Sequence, residues 1–161
     1  MSRETGPRTA RIAARLLRVR WLVRAPIWLY RARLGFIFGH RLLMLEHIGR
    51  VSGQRRRVVL EVIDHSPDRY VVAAGFGGKA QWLRNVEANP QVRVSVGARN
   101  RVPAVARRLP PDEAAAVIRR YREHHPRAWA RLAPVLEHTL NAPITEDGAT
   151  LPMVGIQLSA S

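Results

Sequence analysis

Gly49-Arg50-Val51-Ser52-Gly53-Gln54-Arg55-Arg56-Arg57 is followed, after two apolar runs, by Ala73-Ala74-Gly75-Phe76-Gly77-Gly78-Lys79-Ala80-Gln81-Trp82-Leu83-Arg84-Asn85. The first segment sets glycines and arginines at the junction of two strands, Leu42–Ile48 and Val58–Ile63. Glycine lets backbone N–H groups approach a ligand closely, and arginine supplies forked donors suited to phosphate or carboxylate. The second carries three glycines straight out of a buried-type strand, Tyr70–Ala74, and then a Trp. Together they predict an anionic ligand with a flat, apolar part.

The flanking pattern is mainly β. Asp64-His65-Ser66-Pro67-Asp68 is turn chemistry between two strands. Ala80–Ala88 reads as a short helix stopped by Asn89-Pro90. In Gln91–Val96 the valines at 92, 94 and 96 face one way and Arg93 and Ser95 the other. Gly97–Asn100 is a turn into a strand over Val102–Leu109, where Pro103 predicts an edge or a bulge. Pro110-Pro111-Asp112-Glu113 starts a helix that runs to about His124, Pro126 separates it from a second over Ala128–His138, and Leu151–Leu158 closes as a strand. Six or seven closely spaced strands with a few helices predict a small closed or split barrel. The domain division is an N-terminal basic helical segment, 1–40, and a barrel domain, 41–161.

The order Gly-Arg-x-Ser-Gly-x-x-Arg, a strand pair, Ala-x-Gly-x-Gly, Trp-x-x-Asn, then Asn-Pro before a Val-alternating strand resembles the deazaflavin-dependent nitroreductase and quinone reductase family. The resemblance covers roughly Leu43–Leu109. It implies an FMN-binding split-barrel-like fold of the α+β class and the coenzyme F420, with FMN as the alternative. It also implies hydride transfer from reduced deazaflavin to an apolar acceptor: a quinone, an enone or a nitro compound. The family pattern puts its cofactor-contacting arginine at Arg56, with Arg50, Val51 and Ser52 in the phosphate-side loop. The candidate cofactor contacts are completed by Ala73, Ala74, Gly75, Phe76, Gly77, Gly78, Gln81, Trp82 and Asn85: Gly75, Gly77 and Gly78 for close approach to the flat ring, Phe76 or Trp82 for its wall, and Asn85 either contacting the ring or tying the short helix to the loop. Members close to the best-known nitroreductase carry a basic residue at Val51, Ser-Lys at Gly75-Phe76 and an aromatic at Leu83. The Gly-Phe-Gly version here resembles another branch.

The residues themselves leave alternatives. The basic turn is either an anion site or a solubilising turn, and alternation sends Arg55 and Arg57 one way and Arg56 the other. Trp82 is either a ring wall or a core anchor. His125 and Tyr121 are candidate proton donors to a reduced acceptor; solvated histidines at a helix end are the alternative. The competing functional class is a non-catalytic barrel holding flavin, haem or lipid. Nucleic-acid binding is disfavoured, because aromatics do not interleave with arginines on the strands. No metal-ligand spacing, Gly-x-Ser-x-Gly elbow or dinucleotide fingerprint occurs in the sequence. Hydride transfer needs none of them, because the cofactor carries the chemistry.

The 161 residues carry a formal charge of +15, 47% apolar content and no cysteine. That composition excludes disulfides and thiolate metal sites and fits a reducing cytoplasm. The charge is uneven. Residues 1–57 hold 14 arginines against Glu4 and Glu46, whereas residues 58–161 are nearly balanced. Arg8, Arg11, Arg15 and Arg18 fall on one helical stripe, and Ile12, Leu16, Val19 and Val23 on another. Arginines interrupt every apolar run here, so a signal peptide and a spanning helix are both rejected. Two placements are open to this helix: packing on the barrel, or lying on an anionic membrane with Leu16, Leu17, Trp21 and Leu22 in the interface.

Overall fold

A computed structural model describes residues 39–75, 77–145 and 151–160. Six antiparallel strands form a closed barrel: β1 Leu42–Ile48, β2 Arg55–His65, β3 Arg69–Ala73, β4 Gln91–Val96, β5 Arg99–Arg108 and β6 Met153–Leu158. Their order around the barrel is β1-β2-β3-β6-β5-β4, closed by β1 against β4 through Met44↔Ser95, Leu45↔Val94 and Glu46↔Arg93. Three helices are added: α1 Gln81–Ala88, α2 Pro111–His124 and α3 Pro126–Leu140. The basic amphipathic segment, and with it the choice between barrel and membrane packing, lies outside the described residues.

Alternation along each strand builds the interior. Leu43, Leu45, Leu60, Val62, Tyr70, Val72, Val92, Val94, Val96, Ala104, Ala106, Val154 and Ile156 point inward into one core. Each fully buried Leu, Ile or Val contributes about 1.5–3 kcal/mol relative to exposure. The opposite set on β3 and β6, Val71 and Met153, is covered by Ala114, Val117 and Ile118 of α2 and Leu136 of α3. The α1 helix contributes Leu83 and Val86 to the barrel core, so it seats against the end of the barrel where the Gly49–Gln54 turn sits.

The strands run longer than their most apolar stretches, because pairing extends into the charged ends: β2 reaches Arg55 and His65, and β5 starts at Arg99. The β4–β5 turn is accordingly tighter than the four residues expected, with Gly97 at φ +56°. The register shift falls between Val94 and Val96, opposite Arg101, which adopts φ +52° and donates its N–H to Ser95 Oγ at 3.0 Å. Pro103 itself pairs with Arg93, beyond the stretch of β5 that pairs with β6.

The loop after β3 is held from outside the barrel. Thr139 Oγ1 on α3 donates to the Gly75 carbonyl at 2.7 Å. A Cβ on Gly75 would lie 3.2 Å from Leu136 Cδ2, and one on Gly77, at φ +62°, 3.1 Å from Leu140 Cδ2. A Cβ on Gly78 would meet nothing within 4 Å. Gly77→Ala is therefore expected to destabilise by about 1–2 kcal/mol, the cost of a left-handed L-residue. Gly78→Ala should unfold at the wild-type urea midpoint.

Candidate functional site

The Gly49–Gln54 turn is closed by its own backbone: Gly49 N–H donates to the Gln54 carbonyl and Gly53 N–H to the Gly49 carbonyl, each at 2.8 Å. Gly53 takes φ +67°. Gly49 has no room for a side chain, since a Cβ would stand 2.6 Å from Ser52 Oγ and 3.1 Å from Arg56 Nε. The Arg56 side chain thus lies folded over the turn. Arg56 pairs across the strands with His47, on the side of the sheet that carries Val58 and Leu60 into the core. Arg57, on the other side, donates to Glu46 Oε2 at 3.1 Å.

Glu46 points out of the barrel yet is 4% exposed. Arg101 Nη2 completes its coordination at 3.1 Å to Oε1. Burial pushes this carboxyl up, but the hydrogen bonds and charges of Arg57 and Arg101 outweigh it and hold it below the ordinary value of 4.5.

Asn85, buried on α1, ties the turn to the helix. Its Oδ1 accepts from the Arg50 N–H and from Arg50 Nη1, both at 3.0 Å. Arg50 Nη1 also donates to Gln81 Oε1 at 3.0 Å. With the amide oxygen committed to Arg50, Nδ2 is the group that reaches His47 Nδ1, at 3.3 Å. His47 Nδ1 must then accept, and the ring proton sits on Nε2. Burial lowers the His47 pKa below 6.5, the Arg56 charge adds to that, and a hydrogen bond with the Ile48 backbone opposes it.

Between the start of β2, just after the turn, and α1 lies a groove of about 750 Å³ lined by His47, Arg56, Val58, Lys79, Gln81 and Trp82 among others. A smaller cavity of about 360 Å³ lies over Gly49, Arg50, Val51 and Ser52 and shares Arg56, Gln81 and Asn85 with it. No carboxylate among the described residues lies within ion-pair distance of Arg50, Arg55, Arg56 or Lys79. No side chain caps the N-terminus of α1, and its first turn holds no acid. Uncompensated cations, backbone donors and an apolar wall from Val58 and Trp82 suit a ligand with an anionic end and a flat end.

The expected site residues divide. Arg50, Ser52, Arg56, Gln81, Trp82 and Asn85 converge on these two connected cavities. Val51 is the tip of the turn, 91% exposed. Ala74 is in the barrel core, Ala73 packs on its outer layer, and Gly75 and Gly77 lie against α3, leaving Gly78 open. Phe76 lies outside the described residues. Trp82 packs partly on the barrel core and also lines the groove, a position compatible with either role considered for it. Tyr121 and His125 lie elsewhere, over the outer face of β2. Their rings are 5.1 Å apart, and Tyr121 is 6.2 Å from Trp129. Burial and the Glu61 charge push the Tyr121 hydroxyl up, with Arg41 opposing. The 530 Å³ cavity beside them shares no lining residue with the groove. His47, Val58 and Lys79 line the groove without having been among the site residues expected from the sequence, and of these His47 is the buried one. Its signal was its place two residues before the Gly-Arg turn, on the inward phase of Leu43 and Leu45.

Among the described residues no group of three or more His, Cys, Asp or Glu side chains could hold a metal ion, and no helix is long and apolar enough to cross a membrane. The profile of the F420H(2)-dependent quinone reductase family matches residues 22–139. No curated protein matches the chain. Similar solved structures share the barrel. One is described as a domain-swapped dimer, 21% identical, with a TM-score of 0.53 over 74% of this chain and 81% of that one. An F420-H2 dependent reductase, FDR-A, is 22% identical, with a TM-score of 0.51 over 73% and 94%. HutZ, the haem storage protein from Vibrio cholerae, is 16% identical, with a TM-score of 0.52 over 78% and 87%. The fold is thus a six-stranded barrel of the split-barrel type, in line with the six or seven strands that the sequence pattern predicts and the split barrel that the resemblance implies.

Proposed function

Since the chain belongs to the F420H(2)-dependent quinone reductase family, and is an F420-dependent oxidoreductase, we propose that the groove between the start of β2 and α1, with the adjoining cavity over the Gly49–Gln54 turn, is its cofactor site. The observation that carries this reading is the cluster of Arg55, Arg56 and Lys79, without carboxylate partners among the described residues, around a cavity walled by Val58 and Trp82. Reduced deazaflavin, when bound, supplies a hydride to the acceptor. Arg56 and Lys79 bind the anionic tail by charge. Arg50, fixed by Asn85 and Gln81, holds the shape of the turn beneath it. Trp82 and Val58 exclude water from one side of the flat ring.

The acceptor is an apolar two-electron oxidant of the quinone, enone or nitro type. Among the described residues no carboxylic acid lines the groove, and Tyr121 and His125 lie outside it, so the proton that completes quinone reduction comes from solvent or from the groove's own His47 or Lys79. Anaerobic mixing with reduced F420 and a soluble naphthoquinone tests the activity. The expected result is acceptor-dependent return of the oxidised cofactor's absorbance. Tight cofactor binding with no oxidation by quinones, enones or nitroaromatics would instead favour a carrier role.

The sequence pattern of residues 8–23 supports contact with an anionic membrane, which would place an apolar acceptor's reservoir beside the barrel. Each arginine near such a surface contributes up to about 1 kcal/mol. The full-length protein should pellet with anionic vesicles at low salt and release as salt rises. Indifference to vesicles would leave the helix a purely structural role.

A further inference from the structure

The buried chain His47–Asn85–Arg50 has a fixed donor and acceptor order. Arg50 offers only donors, from its backbone N–H and from Nη1, and both end on Asn85 Oδ1. The amide therefore presents Nδ2, a donor, to His47 Nδ1. This order holds only while Nδ1 carries no proton. A proton there sets donor against donor inside a site where His47 and Asn85 are each 4% exposed. An amide flip would not relieve it, because Nδ2 would then face the Arg50 donors. Either way, one buried contact between β1, the turn and α1 is lost.

We propose that His47 is a positioning residue that makes the cofactor groove proton-sensitive: neutral, it locks Asn85 and Arg50 into the turn, and protonated on Nδ1 it releases them. This rests on the assignment of the groove as the F420 site. His47 is the only histidine among the described residues that line the groove or the adjoining cavity. The charged groups around it all favour the neutral ring, and the hydrogen bond with the Ile48 backbone is the one contact that opposes them without outweighing them. Arg56 stands opposite it on β2, Arg50 shares Asn85 with it, Lys79 lines the same groove ahead of α1, and α1 contributes the amides of Gln81 and Asn85. Its β1 neighbour Glu46 points to the other face and is bound by Arg57 and Arg101. Burial and the Arg56 charge lower the His47 pKa below 6.5, so the lock is closed at neutral pH and opens as pH falls beneath that value. The cationic cluster alone predicts the opposite trend: an anionic ligand would be held no less tightly as a histidine beside it gains charge.

The test is F420 affinity of the full-length protein, by fluorescence titration, between about pH 8 and pH 5. It compares wild type with His47→Asn, whose amide oxygen can accept from Asn85 but does not titrate. Wild-type Kd should rise by up to about tenfold per pH unit in the acid range, the limiting slope for one linked proton. The His47→Asn profile should be flat there, whatever its absolute affinity. Identical pH profiles, or wild-type binding that tightens as pH falls, would overturn the lock. Nitrogen-15 spectra of the free protein keep the two assignments apart. They should show His47 with its proton on Nε2 at neutral pH, and the Asn85 amide and Arg50 N–H signals moving together as His47 titrates. Signals that titrate independently would also overturn it. Absence of F420 binding at every pH, with the coupled signals present, would count against the groove assignment alone.

Discussion

Replacing both Arg57 and Arg101 by Ala lowers the unfolding free energy by about 3–5 kcal/mol, the cost of leaving a buried carboxylate without its partners. Glu46 is 4% exposed, and its two oxygens are divided between these arginines at 3.1 Å each. Either single variant leaves one partner in place and should cost much less. Adding Glu46→Gln to the double variant should return most of the loss, because the charge that made the site costly is gone. Urea unfolding of the four proteins measures this. A double variant within about 1 kcal/mol of wild type, the scale of an exposed pair, would mean the carboxylate reaches water.

The same site gives a pH dependence with a definite sign. The folded Glu46 pKa is depressed below 4.5, so its contribution is complete above that value and is lost as pH falls through the folded one. The double variant should lose this acid limb of the stability curve.

Arg56→Ala should weaken F420 binding by about 1.5–3 kcal/mol, the range for a hydrogen bond to a charged group, or roughly 10- to 150-fold in Kd. Arg56 is the basic residue shared by both cavities, and its guanidinium lies over Gly49 with no carboxylate partner among the described residues. The interaction is between opposite charges near water, so the wild-type advantage should shrink with added salt. Arg93→Ala removes the same unit of charge from an exposed position outside the groove and serves as the control. Equal losses in the two variants would assign the effect to net charge rather than to the turn.

The barrel was legible because its information is local. Val92, Val94 and Val96 alternate with Arg93 and Ser95, and that period of two places each side chain inside or outside without knowledge of the neighbouring strand. The Gly-Arg turn was legible for the same reason, as was the division of Arg55 and Arg57 from Arg56. What was not legible depends on partners far along the chain. Gly75 and Gly77 read as close-approach positions for a ligand, but what stands against them are Leu136 and Leu140, some sixty residues later on α3. His47 reads as one more polar residue at a strand end until the register sets it opposite Arg56 and α1 brings Asn85 beneath it. Glu46 reads as a surface acid on a strand, and only barrel closure brings Arg101 to it. Tyr121 was placed correctly on a helix and His125 at its end, but the sequence carries no record of which side of the barrel that helix covers.

The most direct measurement is a parallel titration of the purified full-length protein with F420, FMN and haem, followed by fluorescence or absorbance. Saturable F420 binding that weakens with salt and with Arg56→Ala, together with much weaker binding of FMN and haem, is the predicted result. FMN or haem binding more tightly than F420, or F420 affinity unchanged in Arg56→Ala, would contradict the assignment of the basic turn and its groove as the deazaflavin site.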